Sequence, residues 1–167
     1  MPPRIVVTRR IPDPAVELLR DVGDVWLSPR DRPLTVGELH TAVAGADAVV
    51  TLLHDRVDDA FLDAAGPRLR VVANVAVGVD NIDVAACARR GIVVANTPGV
   101  LTEATADIAF ALILIATRRL GEGERFIRSG GTWSWSMSFM LGAGIQGRTL
   151  GVVGLGQIGR ASCRERV

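Results

Sequence analysis

Apolar residues in roughly the first hundred positions of the chain recur in two alternating patterns. Short runs rich in valine predict five strands, and segments with apolar residues at helical spacing predict four helices between them. The predicted strands are RIVVT (4–8), DVWLS (24–28), AVVTLL (48–53), RVVANVA (70–76) and IVVAN (92–96). The predicted helices are PAVELLRDV (14–22), TVGELHTAV (35–43), DDAFLDAAG (58–66) and DVAACARRG (83–91).

Helix boundary signals support this alternation. Thr35 and Glu38 have the spacing of a capping box, and Gly66 and Gly91 stand where a glycine commonly ends a helix. Strands that are nearly continuous in valine and alternate with helices are typical of a parallel sheet covered by helices on both faces. Residues 1–100 are therefore predicted to form an α/β domain with a flavodoxin-like parallel sheet.

A different pattern begins after Asn96. The loop TPGVLTEATAD leads into a long helix predicted from about Glu103 to Leu120, which is apolar on nearly every side. Such a helix is buried by the rest of its fold or by a partner subunit. Arg118 and Arg119 are interpreted as cations that stabilise its C-terminus. A loop with glycines and tryptophans follows, and TLGVV (149–153) is predicted to be a new strand.

Composition and charge narrow the classes of function. The 167 residues are 49% apolar, which suits one compact domain, and 19 basic residues against 18 acidic ones favour neither nucleic acid nor an anionic membrane as a partner. The apolar stretch ADIAFALILIA is shorter than the roughly 18 residues that span a bilayer. Two cysteines, Cys87 and Cys163, and an N-terminus without a secretory signal pattern predict a cytoplasmic protein.

Three glycines near the end of the chain have the spacing G-x-G-x-x-G. In a dinucleotide-binding turn the first glycine forms the tight turn, the second lets the backbone approach the diphosphate, and the third allows close helix packing. The residues expected to bind NAD or NADP are Gly154, Leu155, Gly156, Gln157, Ile158 and Gly159. The acidic residue that distinguishes the two cofactors lies about 20 residues further on in such folds, so the choice between them stays open.

The segment NVAVGVDNID (74–83) follows the fourth predicted strand, at the edge where open α/β sheets bind ligands. Gly78 indicates bare backbone, so the amide groups of Val77 and Gly78 could bind a small carboxylate. Asp80, Asn81 and Asp83 could cap the next helix. From the residues alone, an ordinary strand-to-helix turn is favoured over a carboxylate site.

Three segments, taken together, resemble a known family. NVAVGVDNID, GIVVANTPGVLTEATADIAFALILIATRR and MLGAGIQGRTLGVVGLGQIGRA, in this order, resemble the D-isomer-specific 2-hydroxyacid dehydrogenases, especially their glyoxylate and hydroxypyruvate reductase branch. The resemblance covers nearly the whole chain and implies reduction of a small 2-oxo acid to a D-2-hydroxy acid with NAD or NADP. It also implies that Val77 and Gly78 bind the substrate carboxylate, that Leu53 lines the same pocket, and that Thr105 faces the nicotinamide end of the cofactor.

The same resemblance implies a homodimer, since the family dimerises through the region of the long helix. In the reductase branch the loop after this helix approaches the neighbouring active site, and Trp135 is the residue expected to make that substrate contact. The alternative is that Trp135 packs within the interface or its own subunit. The apolar residues that one domain would struggle to cover are Ile108, Phe110, Leu112, Ile113, Leu114 and Ile115.

The family's catalytic arginine, its supporting acid and its catalytic histidine have no counterpart in this chain. His54 borders the expected substrate pocket and His40 lies on a predicted helix, but neither occupies the catalytic position. No residue is therefore expected to be catalytic or to bind a metal, and the chain is expected to be an inactive N-terminal fragment. The alternatives for the whole protein are a phosphoglycerate dehydrogenase and a non-catalytic, corepressor-like protein that binds the dinucleotide.

The resemblance divides the chain into three parts. Residues 1–100 are the N-terminal part of a substrate domain, and residues 101–157 are a dimerisation helix, a loop and the first strand of a truncated nucleotide-binding domain. Residues 158–167 are interpreted as a non-native tail. A Rossmann helix continues with small and apolar residues, whereas SCRERV is largely charged, and IGRASCRERV back-translates into codons that resemble a common sequencing adapter.

Overall fold

The computed structural model describes residues 1–164. The chain divides into two compact units, Met1–Pro98 and the residues from Gly99 onward. The first unit alternates strands and helices as predicted, with the bounds shifted by a few residues. Its strands are β1 (Arg4–Val7), β2 (Asp24–Leu27), β3 (Ala48–Thr51), β4 (Val71–Asn74) and β5 (Val93–Ala95). Its helices are α1 (Asp13–Arg20), α2 (Val36–Val43), α3 (Asp59–Ala65) and α4 (Val84–Arg89).

The strands of the first unit form one parallel sheet in the order β2-β1-β3-β4-β5. This order is that of flavodoxin-like folds, so the predicted fold class is confirmed. At the carboxyl ends of the two neighbouring strands β3 and β4, Thr51 pairs with Asn74. The turns that follow these strands therefore begin beside each other, at the edge of the sheet where such folds bind ligands.

Helices cover the two faces of the sheet separately. On one face α2, α3 and α4 pack against the sheet, where Phe61 and Val49 are completely buried. On the other face Val16 of α1 packs with Ile5 and Val50. Each apolar side chain of this size contributes about 1.5–3 kcal/mol when fully buried, so these two clusters hold the first unit together.

Polar side chains fix the starts of three helices. Thr35 and Glu38 form the predicted capping box at α2. The carboxylates of Asp58 and Asp83 accept backbone hydrogen bonds of 3.1 and 2.8 Å at the starts of α3 and α4. Asp83 is therefore the cap among the three candidates that the sequence offered for α4. The caps of α3 and α4 also set where the turns after β3 and β4 end.

The long apolar helix of the second unit is shorter than predicted. Helix α5 spans Thr102–Thr117, and Arg119, with a φ of 57°, separates it from α6 (Leu120–Arg128). The prediction of one helix up to Leu120 is wrong because a left-handed residue cannot continue a right-handed helix. Arg119 is held by an ion pair with Glu122. Helix α6 itself was not predicted, because two glycines in its sequence LGEGERFIR have low helix propensity.

The predicted strand TLGVV (149–153) is absent: in the part of the chain that the structure describes, these residues belong to neither a strand nor a helix. A strand needs a neighbouring strand to bond its backbone, and the described residues of the second unit contain none. Val153 is fully exposed as a result. The apolar pattern that predicts a strand does not supply the partner strand that one needs.

A short helix, α7 (Gln157–Arg164), follows the glycine-rich turn, and Ala161 in it is buried. Residues 158–164 of the predicted non-native tail are thus part of a helix. Residues 165–167 of that tail lie outside the described residues. Among residues 1–164, no helix is both long enough and apolar enough to cross a membrane.

Candidate functional site

The turns after β3 and β4 form the candidate substrate site. Beyond them Val57 and Ile82 pair in an isolated parallel bridge, which is joined by backbone hydrogen bonds of 2.8 Å. The two chain segments therefore separate after Thr51 and Asn74 and meet again a few residues later. Each turn is closed at both ends, which restricts the conformations of the residues between.

The turn after β4 presents the two amide groups that the sequence singled out. The carbonyl of Val77 accepts a 2.7 Å hydrogen bond from Nδ2 of Asn96, and the carbonyl of Gly78 accepts a 3.0 Å bond from Nδ2 of Asn74. Within residues 1–164, the N–H groups of Val77 and Gly78 donate to no other group. A Cβ on Gly78 would meet only the carboxylate of Asp80, at 3.4 Å. The turn thus combines anchored carbonyls with uncommitted N–H donors.

Two asparagine side chains connect the turns. Asn74, which is 2% exposed, and Asn81 form reciprocal amide hydrogen bonds of 3.0 and 3.3 Å. Nδ2 of Asn81 also donates to the carbonyls of Leu52 and Asp55, at 3.2 and 2.9 Å. Buried amides cost free energy unless they are hydrogen-bonded, and this pair is bonded on both sides. It therefore holds the turn after β3 at a fixed position relative to the turn after β4.

A buried carboxylate shapes the turn after β3. Asp55 accepts hydrogen bonds from the hydroxyl of Thr8 and from the backbone N–H of Leu52. These donors offset the cost of burying its charge. Leu53, the predicted wall of the substrate pocket, lies on this turn and is 64% exposed. The buried Asp55 thus fixes the backbone from which Leu53 projects.

A cleft of about 470 Å³ lies along the two turns, and its lining includes Leu53 and His54. The carboxylates on it are those of Asp58, Asp80 and Asp83. The pKa of Asp58 is lowered by the backbone hydrogen bond that it accepts at the start of α3 and by the charge of Arg56. Arg56 lies on the same lining and pairs with Asp58, so the cleft carries charges of both signs. The N–H groups of Val77 and Gly78 are not part of this lining, and their contact with a substrate carboxylate stays a prediction.

The glycine-rich turn of the second unit has the geometry that its spacing predicts. Gly154 has a φ of 91°, which favours glycine, and a Cβ on Gly156 would meet nothing within 4 Å. A Cβ on Gly159 would lie 2.5 Å from the carbonyl oxygen of Gly154, so only a glycine lets α7 pack this close. The positive end of the helix dipole of α7 begins directly after this turn, at Gln157. These residues fit the diphosphate of a dinucleotide.

The other predicted cofactor residues differ in exposure and in the hydrogen bonds that they make. Leu155 is exposed and Ile158 is half-buried. The side-chain oxygen of Gln157 accepts a 3.4 Å hydrogen bond from the hydroxyl of Thr102, a residue that the sequence did not single out. The hydroxyl of Thr105 donates to the backbone carbonyl of Leu101, the residue directly before α5. Its place at the nicotinamide end of the cofactor stays a prediction.

Two apolar surfaces of the second unit are exposed. Ile108, Leu112 and Ile115, at helical i, i+4 and i+7 positions, form an exposed stripe on α5. Trp135, in a segment without helix or strand, is 73% exposed. The dimer and the contact of Trp135 with a neighbouring site stay predictions.

Known proteins that are similar to this chain identify its family. The family model of the D-isomer specific 2-hydroxyacid dehydrogenase catalytic domain matches residues 5–156. The chain belongs to this family. The chain is 46% identical over 170 residues to the glyoxylate reductase of Thermococcus kodakarensis, and the match covers 99% of the chain and 50% of that protein. The chain thus spans about half the length of the curated relatives that it matches.

Solved structures with the same fold are also similar in sequence. A Thermus thermophilus protein, 42% identical, superposes with a TM-score of 0.88 over 97% of this chain and 52% of its own. The NADPH-dependent glyoxylate/hydroxypyruvate reductase of Sinorhizobium meliloti, whose structure contains NADP and malonate, is 33% identical. Its TM-score is 0.70 over 99% of this chain and 50% of its own. The resemblance found in the sequence is confirmed.

Sequence reasoning missed the side chains that hold the candidate substrate turn. Asn96 was considered only as the end of a strand, Asn74 only as the start of a motif, and Asn81 only as a helix cap. The signal that was available is the position of Asn74, since it follows the residues VVA of a valine-rich run. The buried amide of Asn74 needs partners, and the carbonyl of Gly78 in the adjoining turn is one of them, whereas the exposed Asn96 gives no such signal.

Proposed function

We propose that the full-length protein containing this chain is an NAD(P)-dependent oxidoreductase that reduces glyoxylate or hydroxypyruvate, the latter to the D-2-hydroxy acid. The observation that carries this proposal is the pair of uncommitted N–H groups of Val77 and Gly78 at the carboxyl edge of β4. Membership of the dehydrogenase family and the glyoxylate reductases among its relatives support it.

In this proposal the first unit binds and orients the substrate. The N–H groups of Val77 and Gly78 donate to the substrate carboxylate, and hydrogen bonds to a charged acceptor are stronger than those between neutral groups. Leu53 forms an apolar wall beside them, which favours a short 2-oxo acid. Fixing the carboxylate orients the neighbouring carbonyl carbon, and orientation of this kind lowers the entropic part of the barrier.

The second unit would hold the dinucleotide. Gly154, Gly156 and Gly159 allow the backbone to approach the diphosphate, and the N-terminus of α7 adds a favourable dipole. The nicotinamide, when bound, supplies the hydride. Thr105 is proposed to lie at its nicotinamide end. The cofactor of this proposal is NAD or NADP.

The family resemblance assigns the arginine, acid and histidine of catalysis to positions outside this chain. We therefore propose that the 167-residue chain alone has no activity. We also propose that the whole protein is a cytoplasmic homodimer in which α5 contributes to the interface and Trp135 reaches the neighbouring substrate site.

The test is a substrate and cofactor panel on the full-length protein. Glyoxylate, hydroxypyruvate and phosphohydroxypyruvate are each offered with NADH and with NADPH, and the loss of nicotinamide absorbance is followed. We expect the highest kcat/KM with glyoxylate or hydroxypyruvate, and D-glycerate as the product from hydroxypyruvate. Preference for phosphohydroxypyruvate would instead indicate a phosphoglycerate dehydrogenase. Dinucleotide binding without turnover of any of the three would indicate a non-catalytic binding protein.

A further inference from the structure

Three hydrogen bonds hold successive backbone carbonyls of the turn after β4. The carbonyl of Ala76 accepts a 2.8 Å hydrogen bond from the backbone N–H of Thr97, and the carbonyl of Val77 accepts a 2.7 Å bond from Nδ2 of Asn96. Both donors follow β5, and Asn96 is 19 residues from Val77 along the chain. The carbonyl of Gly78 is held separately, by Nδ2 of Asn74.

Anchoring a carbonyl also aims the next N–H group. The carbonyl of one residue and the N–H of the following residue belong to the same planar trans peptide group and point in opposite directions. The bond from Thr97 to Ala76 therefore fixes the direction of the Val77 N–H. In the same way, the bond from Asn96 to Val77 fixes the direction of the Gly78 N–H.

We propose that Asn96 is a positioning residue that aims the N–H of Gly78 at the substrate carboxylate. This inference rests on the proposed function for the identity of the anion, while the anchored peptide group is a property of the turn itself. Asn96 would not touch the substrate. It would act through the peptide group between Val77 and Gly78.

Asn96 is exposed, so its effect on the substrate can be measured apart from an effect on folding. Asn74, by contrast, is buried and bonded reciprocally to Asn81. Removing the Asn74 amide would leave buried polar groups without partners, which costs stability. The hydrogen bond from Asn96 to the Val77 carbonyl is exposed, so removing the Asn96 amide leaves this carbonyl free to bond to water. Asn96 is therefore the residue at which positioning can be tested with the least effect on folding.

The experiment compares Asn96→Ala with Thr41→Ala in the full-length protein. The hydroxyl of Thr41 donates an exposed 2.8 Å hydrogen bond to the carbonyl of Gly37 on α2, so its loss removes one similar bond away from the turn. Oxalate, a planar analogue of glyoxylate that cannot accept a hydride, is titrated by calorimetry. The KM and kcat for glyoxylate, the Kd of the nicotinamide cofactor and the Tm are measured for each variant.

We expect Asn96→Ala to raise the oxalate Kd and the glyoxylate KM about three- to tenfold, as loss of one neutral hydrogen bond predicts. The cofactor Kd and the Tm should match those of Thr41→Ala. Asn96→Gln, which keeps an amide donor, should recover part of the oxalate affinity.

A wild-type oxalate Kd in Asn96→Ala would overturn the inference, and so would equal weakening of oxalate and cofactor. Failure of the wild-type protein to bind oxalate would overturn it as well. A wild-type protein that binds oxalate through Asn96 but does not reduce glyoxylate would refute the proposed function and leave the positioning role intact.

Discussion

Replacing Gly78 with valine tests the proposed carboxylate site most directly. The backbone of Gly78 lies outside the left-handed region, and a Cβ there would meet only Asp80, at 3.4 Å. The backbone and the space at the Cβ position are therefore compatible with a side chain. A substitution that removes glycine from a compatible position stabilises a protein by about 0.4–1 kcal/mol through the unfolded chain, so the Tm should not fall.

The expected effect of Gly78→Val on substrate binding is larger than its effect on stability. A β-branched side chain at position 78 stands next to the N–H and blocks the approach of a carboxylate. A hydrogen bond to a charged group contributes about 1.5–3 kcal/mol, so loss of one such bond should raise the KM for glyoxylate about 10- to 150-fold. Gly78→Ala, with a single methyl group, should give a smaller rise.

Steady-state kinetics and thermal unfolding of the full-length protein measure the two effects separately. Gly37→Val is the matched control, because a Cβ on Gly37 would meet nothing within 4 Å and this residue lies on α2, away from the turns. It should leave the KM unchanged. If Gly78→Val has the KM and the Tm of the wild-type protein, Gly78 is not part of the substrate site.

Four further outcomes are expected. Gly159→Val should lower the Tm and abolish thermal stabilisation by the nicotinamide cofactor, because its Cβ would lie 2.5 Å from the carbonyl oxygen of Gly154; retained stabilisation would contradict the glycine-rich site. Leu112→Asp should convert a sedimenting dimer into a monomer, since each apolar side chain buried on α5 contributes about 1.5–3 kcal/mol; a wild-type monomer would exclude the interface. The hydrogen bond from Arg32 holds the pKa of Glu38 at about 2, below its ordinary 4.5, so this carboxylate stabilises the fold above pH 4.5 and its contribution is lost as the pH falls through about 2. Denaturant unfolding should accordingly show the stability difference between wild type and Glu38→Gln disappear near pH 2, and a pH-independent difference would count against the ion pair. The 167-residue chain alone should oxidise neither NADH nor NADPH with glyoxylate; measurable turnover would place catalytic groups within it.

The first unit was predictable because its signals are local. Runs such as RIVVT and AVVTLL mark buried parallel strands, and Thr35 with Glu38 marks a helix start, so the pattern along the chain contains the sheet and its layers. The second unit was predicted less well. The left-handed conformation of Arg119 has no marker in the sequence, and the strand expected at 149–153 needs a neighbouring strand that the described residues do not supply.

Part of the candidate site could be predicted from the sequence and part could not. Val77, Gly78 and the three glycines are visible in the sequence because each group follows a predicted strand, and the family resemblance gave them their roles. The anchoring by Asn96 was not visible, because it joins a side chain to a carbonyl 19 residues away. A side chain that bonds to a distant backbone group has no periodicity and leaves no spacing rule, so only the folded turn identifies it.

The reciprocal amide pair limits how this site can diverge in evolution. Asn74 and Asn81 are seven residues apart, and an insertion or deletion between them would separate two amides that need each other. The side chains of Val77 and Leu53 take no part in these bonds and are free to change in size. Substrate range in proteins with this turn should therefore change through exchange of single residues on a backbone of constant length, rather than through longer or shorter loops.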